Sequence, residues 1–359
     1  MLEIQSPVHG AVLNANHGHL DDNGLQVRVE GTAPARSRVT VNGDDARIEG
    51  TRFQADITLT ERQNDVVARS ESGAGTTEHQ VRVVWDKGSF KRYRFSIDDN
   101  SFFLRDIAKE QYGSLFDCFY LDALRTLNRE YGARFVLNIY YTTDDGFDLT
   151  QFPERYRSEW KDNADWLRLA FHAHANDPDR PYQYASATRI IEDWDRVEEQ
   201  IVRFAGESVC SPPTVIHWAM VHPDTYNALY ERGIRVLSGY FNERAGKRDI
   251  NYQLDEARSE YLSRHDALLH VESGITFARV DIICNNTPVE RIVPTLEPLA
   301  ADPNHAEIMD LFTHEQFFWP FYRNHLPDHA QRLDTAIRWV TDHGYQPVFY
   351  HEGFLGNTR

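Results

Sequence analysis

Ionisable or metal-competent side chains stand at or near the ends of six apolar, β-rich runs. Asp98-Asp99 follows YRFSI (93–97), and His172 and His174 sit at the end of LRLAFH (167–172). His217-Trp218 ends TVIHW (214–218), Asp281 lies in FARVDII (277–283), His314-Glu315 ends IMDLFTH (308–314), and His351-Glu352 ends QPVFYH (346–351). Adjacent carboxylates diverge, so one of a pair can hold a cation while its neighbour handles a proton. Imidazoles ligate metals when neutral and shuttle protons near neutral pH. A lone group of this kind means little. Six such ends point to the rim of a functional site, because buried charge costs stability unless paired or liganded.

The elements that must position these groups alternate in type. Between the runs lie amphipathic stretches. TRIIEDWDRVEEQIVRFAG places Ile190, Ile191, Trp194, Val197, Ile201 and Val202 on one stripe and stops at Gly206. Pro223 opens DTYNALYERG, which closes on Gly233, and QRLDTAIRWVTDHG carries Leu333, Ile337 and Val340 before Gly344. Buried strands linked by helices predict a parallel sheet. The expected class is α/β: a distorted (β/α) barrel of seven to eight strands over residues 92–359, with its chemistry at the C-terminal strand ends.

Residues 1–86 instead alternate apolar and polar with period two, as in LQVRV, SRVTV, RFQADITL and HQVRVVW. Asp22-Asn23-Gly24, Asn42-Gly43 and Gly73-Ala74-Gly75 supply the turns. The pattern predicts a small all-β sandwich, with residues 87–91 as linker. The succession SPVHGAVL, VEGTAPARSRVTVNG, FQADITL, QNDVVA resembles the bacterial immunoglobulin-like modules attached to carbohydrate-active enzymes. A spacer packed on the next domain is the expected role.

FSIDD ahead of a β/α region resembles the first motif, T-F-D-D-G, of the polysaccharide deacetylases, the nodulation-type carbohydrate esterases. The resemblance implies that Asp98 is a general base and Asp99 a ligand to a divalent ion, zinc above all. In LAFHAHANDPDRPY, His172 matches the first imidazole of the family's H-[ST]-x-x-H, but Asn176 stands where the second belongs. His174 is an alternative second ligand, since an i, i+2 pair on a strand points one way. An Asn oxygen is the weaker zinc donor. IHWAMVHPDTYNALYERG aligns with the third motif, R-x-P-Y, yet lacks its Arg. His217-Trp218 occupy that place, His217 as partner to Asp98 or as an extra ligand, Trp218 as a sugar platform or core filler. DLFTHEQFFWPFY resembles the last motif, L-x-x-H, which makes His314 the general acid and Glu315 its orienter. Trp319 is then a residue of the binding cleft. Glu352 has no family counterpart and is a candidate sugar contact.

The expected activity is therefore metal-dependent removal of acetyl groups from a glycan or oligosaccharide. The rivals are a glycosidase pairing Asp98 with Glu315 or Glu352, and a non-catalytic glycan-binding protein. Composition narrows the partners. Across 359 residues, 38 Lys+Arg against 55 Asp+Glu leave a formal charge of −17, which disfavours nucleic acid and anionic membrane surfaces. No run approaches the ~20 apolar residues that span a bilayer. Cys118, Cys210 and Cys284 form no paired motif, and the start carries no basic-then-apolar leader, so a cytoplasmic location is expected.

Overall fold

The computed structural model describes residues 1–73 and 75–352. Ala74 of the third turn, and residues 353–359 of the expected barrel segment, lie outside the described residues. The chain divides into two compact units, Met1–Ser89 with Ala267–Gly274, and Phe90–Asp266 with Ile275–Arg359.

In the first unit, one sheet runs Glu3–Ser6, Gly24–Thr32, Arg52–Leu59, Arg47–Glu49, with His19–Asp21 also on Gly24–Thr32. A second runs Val12–Leu13, Gly75–Trp85, Gln63–Ser72, Arg38–Val41, Asp44–Asp45. Period-two alternation decides the core: Val27, Val29, Val39, Val41, Phe53, Val81 and Val83 are buried while their chain neighbours face out. Asn42 and Gly43 both take positive φ, 51° and 98°, and close a two-residue hairpin of the kind that a right-handed strand twist favours.

The second unit is mixed α/β. Its main sheet orders Leu167–Ala173, Phe135–Tyr140, Arg92–Asn100, Ile308–His314 and Ile282–Ile283, with Gln346–Pro347 also on Arg92–Asn100. All these pairings are parallel. Every residue of Phe135–Tyr140 is buried, as expected for strands covered on both faces. Val236–Gly239 pairs in parallel with Ile275–Arg279 in a smaller sheet. Helix Ala187–Phe204 buries Ile190, Trp194, Val197 and Ile201 of the stripe read from the sequence and leaves Ile191 and Val202 half-buried. Helices Phe102–Glu110, Phe119–Tyr131 and Val289–Ala301 were not singled out from the sequence, although Tyr120, Leu121, Leu124 and Leu127 form a buried stripe on the second.

TVIHW differs from expectation. It forms no strand; His217–Ala219 is a short 3-10 turn. Pro212 and Pro213 immediately before it remove two ladder donors. Backbone pairing survives only as isolated bonds, Ser211 N–H to Leu169 O (2.9 Å) and Ser238 N–H to Thr214 O (2.8 Å). QPVFYH is likewise a strand only at Gln346–Pro347. Among the described residues, no helix is long and apolar enough to cross a membrane.

Candidate functional site

Two strand irregularities create the site. Against Phe135–Tyr140, the register of Arg92–Asn100 slips by one residue between Ile97 and Asn100. Within that bulge Asp99 takes φ 59°, a left-handed backbone that a non-glycine residue adopts only when its surroundings enforce it. The slip turns Asp99 away from Asp98. A second slip occurs between Phe135–Tyr140 and Leu167–Ala173, where His172 is the extra residue. His217 arrives from a third direction, on the turn whose Trp218 and Ala219 have φ of 64° and 45°.

These three residues converge. Asp99 Oδ1 lies 3.1 Å from His172 Nε2 and 3.4 Å from His217 Nδ1, and the two ring nitrogens are 3.1 Å apart. All three donor atoms fall within 4.8 Å of one another. His172 Nδ1 sits 3.2 Å from the Val215 carbonyl, so it carries a hydrogen. Nε2 then either carries a second proton and donates it to Asp99 Oδ1 or, without it, has a lone pair free for a cation. Burial disfavours the Asp99 anion, but hydrogen bonds to His172 and His217 and the nearby His314 outweigh it and hold its carboxyl well below the usual range. Burial opposes charge on His172, while Asp98 and Asp99 raise its pKa. The Asp–His–His donor set, with the second imidazole nitrogen fixed by a carbonyl, suits zinc.

Asp98 stands beside this cluster, 3 % exposed. Its Oδ1 accepts from Asn138 Nδ2 (2.5 Å) and Ser96 Oγ (2.9 Å). Asp98 pairs in register with His314 on the neighbouring strand, rather than facing it from across a barrel. His314 Nδ1 donates to Asn285 Oδ1 at 3.1 Å, an oxygen assignment that follows from the Asn285 amide donating to Asn286. That leaves His314 Nε2 directed at Asp99 Oδ2, 3.8 Å away.

Two hollows meet at Asp99. One, of about 320 Å³, is walled by Trp218, Tyr240, Ile250, Val280 and Phe312 and carries Asp98, His172, His217 and His314. The other, of about 370 Å³, is more polar, with Thr142, Thr143, Asp144, Arg105 and Arg323. Asn176 borders both, 3.3 Å from the Tyr140 hydroxyl by its Oδ1.

Other expected site residues stand elsewhere. His174 stacks on Tyr141 and lies 3.8 Å from Asp193, away from the Asp99 cluster. Glu315 is wholly buried as a helix cap. Its carboxylate accepts the N–H groups of Ser101 (2.6 Å), Phe102 (2.9 Å) and Phe103 (2.6 Å) and the Trp319 indole (3.1 Å), and burial pushes its pKa up to about 7 against those donors. Trp319, 5 % exposed, packs on Phe102 and Phe119. Glu352 pairs with Arg168 at 2.7 Å and faces Arg134 at 3.8 Å, in neither hollow. Asp281 belongs to a second donor group with Asp266 and His305. There Arg279 Nη1 already donates to Asp281 Oδ1 at 2.8 Å and lies 3.0 Å from His305, so a fixed guanidinium is that group's cation.

Sequence reasoning missed Tyr140 and Gln316. The Tyr140 hydroxyl donates to Asp99 Oδ1 and lies 3.2 Å from His217, and Gln316 Nε2 donates to Asp99 Oδ2 at 2.8 Å. Tyr140 is the last residue of strand Phe135–Tyr140, next to last in the apolar stretch RFVLNIYY (134–141), so its place at a strand end was the available signal.

No family model matches this chain, and no curated protein matches it. Among solved structures, an engineered protein is 22% identical over 24% of this chain and 19% of its own, at a TM-score of 0.18. Fibronectin(III)-like modules of Clostridium thermocellum CbhA are 14% identical over 28% of this chain and 57% of theirs, at 0.19. The chain thus spans about a fifth of the first and just over half of the second. A Bacteroides fragilis protein, provisionally assigned as an alpha-galactosidase, is 11% identical over 95% of this chain and 78% of its own, at 0.26. At these TM-scores the likenesses carry no argument.

Proposed function

We propose that the second unit is a distorted (β/α) barrel that removes acetyl groups from a glycan by metal-dependent hydrolysis. The barrel reading is supported by backbone bonds that carry the pairing onward from Leu167–Ala173. They run from Ser211 to Leu169, Ser238 to Thr214, Val280 to Gly239 and Asp281 to Asp310, back to the strand beside Arg92–Asn100. The activity reading rests on one observation: Asp99, His172 and His217 converge at the edge of a hollow that Asp98 and His314 also line.

Asp99, His172 and His217 would hold a divalent cation, zinc by the donor set, which would supply Lewis acidity toward the acyl carbonyl and water. Asp98 accepts the proton of the attacking water, its carboxylate held in place through Oδ1 by Asn138 and Ser96. His314 donates the Nε2 proton to the sugar oxygen or nitrogen as the acyl bond breaks, with Asn285 fixing the ring from behind. Acetate leaves, one water having been added. Trp218 offers a ring face to the pyranose. The glycosidase alternative finds no support, because Glu315 is spent on a helix end and Glu352 on Arg168.

The test is elemental analysis of protein purified without chelator or metal-binding tag, with acetate release from acetylated oligosaccharides before and after chelation. One equivalent of metal and chelator-sensitive acetate release are expected. Chelator-resistant release of reducing ends would instead establish glycosidic cleavage.

A further inference from the structure

The polar hollow does not end at its rim. Phe102 and Arg105 line it, and both continue into an aromatic cluster outside. Phe321 lies 5.1 Å from Phe102 and 5.5 Å from Trp319, and Phe119 lies 4.8 Å from Trp319. Phe321 is 60 % exposed and Phe119 47 %, two of the few large apolar side chains so placed among the described residues. The Arg105 guanidinium lies over both Phe102 and Phe321, at 5.0 and 5.6 Å, and is itself held by Asp145. Buried Trp319, anchored on Glu315, backs the exposed rings. Phe321 is tilted 50° to Phe102 and 41° to Trp319 and carries Arg105 over its ring, yet keeps an exposed apolar surface bordered by polar groups. A pyranose fits that description from the other side, with its C–H face for the ring and hydroxyls for Arg105 and Asp145.

We infer that Phe321, which shares Trp319 with Phe119, forms a second sugar subsite that takes a further ring of a neutral glycan chain whose acetylated unit lies at Asp99. The chain leaves the cleft through the polar hollow and crosses Phe102 to Phe321. The inference rests on the glycan reading of the cleft and deepens it: the substrate is a chain several rings long rather than a single sugar. Hollow and platform are continuous, since Phe102 and Arg105 belong to both, and a chain of rings can follow one into the other. The net charge of −17, and the pairing of Arg105 with Asp145, disfavour a polyanion.

Binding to the full chain is measured by indole fluorescence, since Trp319 touches Phe321, using three neutral acetylated hexasaccharides built on glucosamine, xylose and mannose, with their monosaccharides. Acetate release is followed in parallel. At least one hexasaccharide should bind more tightly than its monosaccharide. Phe321→Ala should weaken the hexasaccharide about three- to tenfold and leave the monosaccharide unchanged, and Phe321→Tyr, which keeps the ring, should restore binding. Leu20→Ala, at an exposed apolar residue of the first unit, serves as control. Length-dependent binding without acetate release would sink the esterase reading and keep the subsite. Absence of length dependence for all three sugars overturns the subsite, whatever the acetate assay gives. So does a self-association that Phe321→Ala abolishes, because the platform would then be an interface between copies.

Discussion

At the scale of residues, a cation asks only that donor atoms meet, not that they come from one motif. The pattern H-[ST]-x-x-H takes both imidazoles from one loop, whereas here the second nitrogen beside His172 is that of His217, 45 positions later. Asp99, His172, Asp98 and His314 were legible because each stands at the end of an apolar run. The choice among Asn176, His174 and His217 was not legible, because a bulge at His172 decides which neighbour turns inward. Asp99→Ala and His217→Ala should therefore each lose bound metal by elemental analysis, and activity with it, while His174→Ala keeps both. Asp98→Asn and His314→Ala should keep the metal and lower turnover about 10²- to 10⁴-fold each. Full turnover in His314→Ala would remove it from the mechanism. Asn138→Ala should lower turnover with metal retained, since it removes the shorter of the two bonds on Asp98 Oδ1.

At the scale of elements, periodicity located Ala187–Phe204, His329–Asp342 and Ile308–His314 well, because each buries a continuous stripe or face. It passed over Phe102–Glu110, whose N-terminus is capped from afar. Ser101 makes no side-chain cap; Glu315, more than 200 residues on, accepts three of the first N–H groups. Local reading cannot see such a cap, and took Glu315 for chemistry. Glu315→Gln puts an amide donor against those donors. It should cost about 1–2 kcal/mol or more in denaturant unfolding, with metal content unchanged. His329, the first residue of its helix, is buried at a helix N-terminus, where positive charge is disfavoured. Burial, then the Arg332 charge, drives its pKa down to about 3. The native state thus binds fewer protons than the unfolded chain. The stabilising contribution is complete above pH ~6.5 and is lost as pH falls toward 3. Unfolding free energy should fall with acid over that window, by up to about 1.4 kcal/mol per pH unit from this group. His329→Gln should flatten the slope, and an unchanged slope would show that other groups carry it.

At the scale of the molecule, period-two strands give way to strand–helix alternation near Lys87, and the first stretch of the first unit ends at Ser89. The return of Ala267–Gly274 to the first unit was not legible, because ALLH reads like any buried strand. In the whole chain Leu268 and Leu269 are 1 % and 8 % exposed. Ala11 bridges to Leu268, and Leu269 N–H donates to the Gly10 carbonyl at 2.8 Å. A chain shortened to begin at Phe90 removes Gly10 and Ala11, the backbone partners of the two leucines, and exposes whatever leucine surface residues 1–89 cover, against roughly 1.5–3 kcal/mol for a leucine fully buried. Such a chain should aggregate or unfold at lower temperature than the full chain, against the simple expectation that a cut at the linker leaves a folded remainder. Replacing both leucines by serine should restore solubility to the shortened chain, because the newly exposed surface becomes polar. The same pair of changes should destabilise the full chain by about 2–5 kcal/mol per site, the cost of emptying a filled core position. Thermal unfolding and light scattering of the four proteins decide the matter. If the shortened chain is monomeric and melts unchanged, Ala267–Gly274 does not depend on residues 1–89, and the two units part cleanly at Ser89.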